Sequence, residues 1–160
     1  MPPQRQLRSP DQVGQWIKDC AESLQSPCRM TLIGSGGILA HAYFRGITAP
    51  FLENSMDVDP IVDGDELAWL CYDACIGSDF EKQHGWHVNI MPHVALEAFP
   101  ADWASRAFKQ TMGHLELVLP SVEDLLVPKL KRGECRDMLH KQYALEQGLL
   151  KVDPNIGMQR

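Results

Sequence analysis

No stretch of the chain stays apolar for the roughly 20 residues that a membrane-spanning helix needs, so no such helix is expected in it. Positive charge is also scarce. Fifteen Lys and Arg stand against 21 Asp and Glu, a formal net charge of −6. A protein that grips nucleic acid by broad electrostatics carries a basic face, so no broad DNA-binding surface is expected. Only Lys129, Lys131, Arg132 and Arg136 could form a local basic patch. Met1 to Pro10 is polar and lacks the apolar centre of a secretory signal. The five cysteines are odd in number and scattered, which fits thiols kept reduced in a cytoplasmic protein. Cys71 and Cys75 would share a helix face near His84, His87 and His93, but no short-spaced pair of zinc ligands accompanies them. No Ser-His-Asp arrangement stands out, and Ser35 lacks the surroundings of a nucleophile elbow. Repeats, low-complexity blocks and linkers are absent too. One domain over residues 1–160 is expected, with a core at about 29–147 and a tail at 148–160.

What is present reads as alternating helices and strands. Ser9-Pro10-Asp11 is a helix start, and Val13, Trp16, Ile17, Cys20 and Leu24 recur at helical spacing. Arg29 to Ile33 is a short apolar strand, and Ile38 to Phe44 a buried helix. Met56 to Val62 reads as a second strand. Pro60 cannot donate to a ladder, so this strand faces an edge or is bulged there. A helix is expected from Asp65 to about Ile76, a strand over His87 to Met91, a loop over Pro92 to Arg106 and a helical turn at Asp102 to Phe108. Leu115 to Leu119 is a fourth strand. Ser121 to Asp124 resembles a capping box, opening a helix to about Lys131 that Pro128 should kink or divide. A last helix spans Glu134 to Gln147, with Arg136 and Asp137 expected to pair at its start. The tail after Gly148 is expected to be loose or to make a contact between copies, as in a homo-oligomer.

Chemistry concentrates in two stretches. Gly34-Ser35-Gly36-Gly37 lies between the first strand and the helix that follows. A strand passing through small residues into a helix presents backbone N–H groups at a helix N-terminus, a seat for phosphate. Asp57 and Asp59 follow on the second strand. Two-residue spacing on a strand puts both carboxylates on one face. Like charges so close are tolerated where a cation or donors neutralise them, and paired carboxylates suit Mg²⁺, which completes its shell with water and phosphate oxygens. The plainer alternative is a pair of solvated strand acids.

The order of these stretches resembles the DNA polymerase beta-like nucleotidyltransferase superfamily. There a Gly-Ser or Gly-Gly turn holds a triphosphate and an Asp-x-Asp holds the metal. More narrowly, the chain is similar to small bacterial nucleotidyltransferase-like proteins of the toxin–antitoxin and abortive-infection type. Those carry a Pro-x-x-Trp-x-x-Arg segment, matched by Pro100 to Arg106, then a Leu-x-x-x-Lys-Leu helix and an Arg-Asp element, matched by Leu125 to Leu130 and Arg136-Asp137. The resemblance covers about Met30 to Tyr143 and implies an α/β fold. A small mixed, twisted sheet of about four strands would carry packed helices and a helical C-terminal part. It also implies Mg²⁺-dependent transfer of a nucleoside monophosphate from a nucleoside triphosphate to a hydroxyl of a protein or RNA. Asp57 and Asp59 would be the catalytic metal ligands, and Gly34, Ser35, Gly36, Gly37 and Lys129 the phosphate-binding residues. The third acidic position falls on Asn89, where an amide cannot act as a base at neutral pH; His87 could substitute. The alternative reading is a catalytically weak module of this fold that binds nucleotide or a partner protein.

Overall fold

In the computed structural model, the described residues are 7, 9–51 and 57–150, with the side chains of Cys135 and Arg136 excepted. They form a mixed α/β fold. A five-stranded mixed sheet carries seven α-helices and one 3₁₀ helix among the described residues, and the C-terminal end is helical.

The helix α1 (Pro10–Ser23) begins as its sequence dictates: Pro10 opens it, and the Ser9 backbone N–H donates to Gln12 Oε1 at 2.9 Å. Its apolar stripe of Val13, Trp16, Ile17 and Cys20 is buried. The strand β1 (Cys28–Ile33) is central. It pairs antiparallel with β2 (Asp57–Asp63) and parallel with β5 (Leu115–Leu119). Four consecutive buried residues, Met30 to Ile33, follow from cover on both faces. Beyond β2 lies β3 (His87–Val88), parallel to it, and beyond β5 lies β4 (Phe108–Met112), antiparallel.

The sheet therefore has five strands where four are expected. The unforeseen one, β4, is an edge strand whose middle residues Lys109, Gln110 and Thr111 are exposed, so no hydrophobic alternation marks it. Its turn does carry a signal. Met112 pairs with Leu115 across Gly113-His114, and Gly113 has φ +58°, a two-residue hairpin loop led by glycine.

The regular strand β3 is shorter than the sequence suggests because Pro60 removes one rung, although the Met91 N–H again donates to the Pro60 carbonyl at 2.8 Å. Asn89 N–H donates to the Val58 carbonyl at 2.8 Å. The next rung of a parallel ladder would be the Pro60 N–H to the Asn89 carbonyl, and proline has no such donor. Pro60 thus sits in an inner strand, paired with Leu32 on the other side.

Helix boundaries also differ. α2 (Gly34–Phe44) begins four residues earlier than expected, with the glycines as its first turn. Tertiary packing overrides their poor propensity. A side chain at Gly36 would press on Val58, and one at Gly37 would lie 2.7 Å from the Leu32 carbonyl oxygen, so their absence lets α2 settle on the sheet. α3 (Asp65–Tyr72) ends before Ile76. α4 (Asp79–His84) is unforeseen, although Ser78 Oγ accepts from Glu81 N–H as an N-cap and Gly85 closes it at φ +79°. The stretch expected as a loop holds the 3₁₀ helix His93–Ala98, and α5 (Trp103–Arg106) forms within the helical turn expected at Asp102 to Phe108. α6 (Val122–Arg132) runs unbroken through Pro128, and α7 (Cys135–Glu146) follows. At the start of the expected tail, Leu149 and Leu150 are buried in the core; residues 151–160 lie outside the described set.

α2 packs against α1, β2 and α6, which brings the N-terminus of α2, the front of β2 and the α6–α7 pair to one end of the sheet. No helix of the described residues is long and apolar enough to cross a membrane.

Candidate functional site

The turn into α2 fixes the site. Ile33 is the register partner of Asp59, so the last residue of β1 delivers the chain directly beside that carboxylate. The next residue, Gly34, has φ +70°, and a Cβ built on it would stand 2.8 Å from Asp59 Oδ2. Glycine is required twice over here, by the left-handed backbone and by the close approach. No side chain caps the start of α2. Ser35, Gly36 and Gly37 are buried in its first turn. Met56, which the sequence places at the start of β2, and Glu53 before it lie outside the described residues.

On β2, Asp57 and Asp59 act on each other. The Asp59 carboxyl is pushed up to about 7, first by burial, then by the negative charge of Asp57, with a hydrogen bond shared with Asp57 acting the same way. Two groups oppose this rise: the Asn89 amide, which donates from Nδ2 to Asp59 Oδ1 at 3.3 Å, and the positive charge of Lys129. Asn89 therefore stands beside the pair. It gets there because the backbone beyond β3 stays paired with β2, the Asn89 N–H donating to the Val58 carbonyl and the Met91 N–H to the Pro60 carbonyl, both at 2.8 Å.

Lys129 is held in a network that the sequence did not disclose. It is buried on α6, with Nζ 3.0 Å from His140 Nδ1 and 3.7 Å from Asp137 Oδ1. An ammonium only donates, so His140 Nδ1 accepts and its ring proton sits on Nε2. The His140 ring lies against Phe51 with centroids 4.8 Å apart, and Phe51 meets Tyr143 edge-on. Arg132 Nη2 donates to Asp137 Oδ1 at 2.7 Å. Burial alone would raise the Asp137 carboxyl. The Arg132 hydrogen bond and the charges of Lys129 and Arg132 outweigh it and hold the group below its ordinary value. The expected partner of Asp137, Arg136, has its side chain outside the described set. Asp137 and His140 are three apart and share a face of α7, which is the one sequence signal that could have tied them to a common role.

Other expected residues fall elsewhere. Arg106 makes a bidentate pair with buried Asp124, Nε to Oδ2 at 3.0 Å and Nη2 to Oδ1 at 2.9 Å, and also meets Asp102 at 2.6 Å. It ties α5 to α6. This also explains why Asp124 replaces the usual Glu of a capping box. Ser121 Oγ accepts from Asp124 N–H at 3.1 Å, while the Asp124 carboxylate is engaged by Arg106. His87 is the register partner of Asp57, and its Nδ1 lies 2.8 Å from Glu81 Oε2. Two neighbouring carboxylates, an amide and a buried ammonium thus converge against a glycine-led helix start. Such a set can hold a divalent cation through the carboxylates and an anion through the ammonium and the helix N–H groups.

Among the described residues no group of three or more His, Cys, Asp or Glu is placed to hold a metal ion. The aspartate pair could supply two ligands at most, the number Mg²⁺ takes from protein where water and phosphate fill the rest of its shell. No known protein family, curated protein or solved structure matches the chain.

Proposed function

We propose that the chain binds a nucleoside triphosphate with Mg²⁺ and transfers the nucleoside monophosphate to a hydroxyl of a protein or RNA, as a nucleotidyltransferase-like fold. The observation that carries this reading is the pressing of Gly34 against Asp59, with Asp57, Asn89 and Lys129 around the same carboxylate. The donor set fits the cation. Two carboxylates, one of them lifted to about 7 by burial and then by the charge of the other, gain most when a divalent charge neutralises both. Asp57 and Asp59 would hold Mg²⁺ there, and its positive charge would offset the charge that develops on a leaving pyrophosphate.

The chain's own residues do the rest. The first-turn N–H groups of α2 receive phosphate oxygens, and the Ser35 hydroxyl adds a donor. Lys129, seated by His140 and Asp137, neutralises phosphate charge. Asn89 orients Asp59 through its amide but cannot accept the proton of an attacking hydroxyl. Asn89 is also what favours a second reading, a weakly catalytic module that binds nucleotide or a partner protein. General-base assistance is worth about 10²–10⁴-fold, so transfer is slow while binding persists.

The test is label transfer from radiolabelled nucleoside triphosphates to RNA and to the protein itself, in the natural chain and in Asn89→Asp. Slow transfer that rises tenfold or more in Asn89→Asp supports the reading. Nucleotide binding with no transfer in either chain moves the assignment to the second reading, and no nucleotide binding overturns the transferase and leaves the second reading as a module that binds a partner protein.

A further inference from the structure

A surface away from the aspartate pair has the character of a docking face. On α3, Leu67 and Cys71 point into the core while Trp69 and Tyr72 point outward, 69% and 57% exposed, with ring centroids 6.2 Å apart. Ile76, 72% exposed, stands in the turn that follows. Tryptophan and tyrosine seldom stand in water together. They are enriched at protein interfaces and dominate binding energy there.

The stretch that carries these rings has charge of one sign. From Asp63 to Glu81 the chain holds six acids and no Lys or Arg. Several of those acids are already engaged. Glu66 accepts from the Gln25 and Ser26 backbone N–H groups, Asp63 contacts His93, and Glu81 contacts His87. Asp65 and Asp73 are exposed one helical turn before and after Trp69, so acids flank the aromatic pair on its own side.

We infer that this face binds a basic amphipathic segment of a partner protein. Apolar side chains of that segment would cover Trp69 and Tyr72, and its Lys or Arg would meet Asp65 and Asp73. A second copy laid symmetrically on the same face would set these acids against themselves, which opposes self-association there.

The test uses two 18-residue helical peptides with one apolar leucine face, one with lysine on the polar face and the other with glutamate. Titration calorimetry is run on the natural chain and on the double variant Trp69→Ala, Tyr72→Ala, checked for folding by circular dichroism. The lysine peptide is expected to bind. Its affinity should fall at least tenfold in the double variant and weaken as salt rises, while the glutamate peptide fails to bind. Equal binding of both peptides, or an affinity unchanged by the two substitutions, overturns the inference. So does a dimer in sedimentation that the Trp69→Ala change dissolves, because the face would then belong to a second copy of the chain.

Discussion

Replacing Asp59 by Asn should stabilise the protein above neutral pH. The folded chain holds the Asp59 proton to about 7, whereas an unperturbed carboxyl releases it near 3.8, because burial and Asp57 both penalise the charge. The folded state thus binds this proton more tightly than the unfolded chain does. The associated stability is fully present below about pH 4 and is lost as pH rises through about 7. A tenfold difference in proton affinity between the two states is worth about 1.4 kcal/mol, so roughly 3 kcal/mol is lost between pH 5 and pH 8. An asparagine carries no charge, and its side-chain oxygen can still accept from the Asn89 amide. Urea denaturation of both chains at pH 5, 6, 7 and 8, without divalent cations, measures the difference directly. The variant should gain on the natural chain from pH 5 upward, by about 2–3 kcal/mol in all by pH 8. Parallel stability curves across this range would refute the account, since they would mean that Asp59 is neither desolvated nor pressed by Asp57.

Two further substitutions probe the site. Gly34→Ala combines a left-handed backbone with a Cβ 2.8 Å from Asp59 Oδ2, whereas Gly46→Ala has a similar φ of +74° and open space around it. Thermal melts should show Gly34→Ala costing about 2 kcal/mol or more and Gly46→Ala only about 1 kcal/mol; equal costs would mean the contact with Asp59 is not tight. Lys129→Met removes a charge that lowers the Asp59 pKa, so the pH midpoint of the stability loss should move upward and triphosphate affinity should fall about tenfold or more. An unchanged midpoint would place Lys129 outside the field of the pair.

Much of the central architecture was legible because it rests on local patterns. The apolar run from Met30 to Ile33, the glycines after it and the two-residue spacing of Asp57 and Asp59 each have a direct geometric meaning, and β1 and β2 carry them side by side. The edge strand β4 escaped because exposed Lys109, Gln110 and Thr111 bury nothing and so leave no periodicity. The start of α2 was misplaced because glycine propensity argues against a helix, while contacts with Val58, Leu32 and Leu125 decide in its favour. Arg106 stood out only as the end of the Pro-x-x-Trp-x-x-Arg segment; its partner Asp124 lies 18 residues on, and only the packing of α5 on α6 brings them together. The Lys129–His140–Asp137 network was hidden for the same reason. Its members sit on two helices, and no spacing rule links one helix to the next.

The most direct test of the central claim is calorimetric titration of nucleoside triphosphate in the presence and absence of Mg²⁺, on the natural chain and on Asp57→Asn, Asp59→Asn. The account predicts Mg²⁺-dependent binding by the natural chain and its loss in the double variant, which should be folded and more stable at pH 8. Binding that persists undiminished in the double variant, or the absence of binding for every common nucleotide, would contradict it.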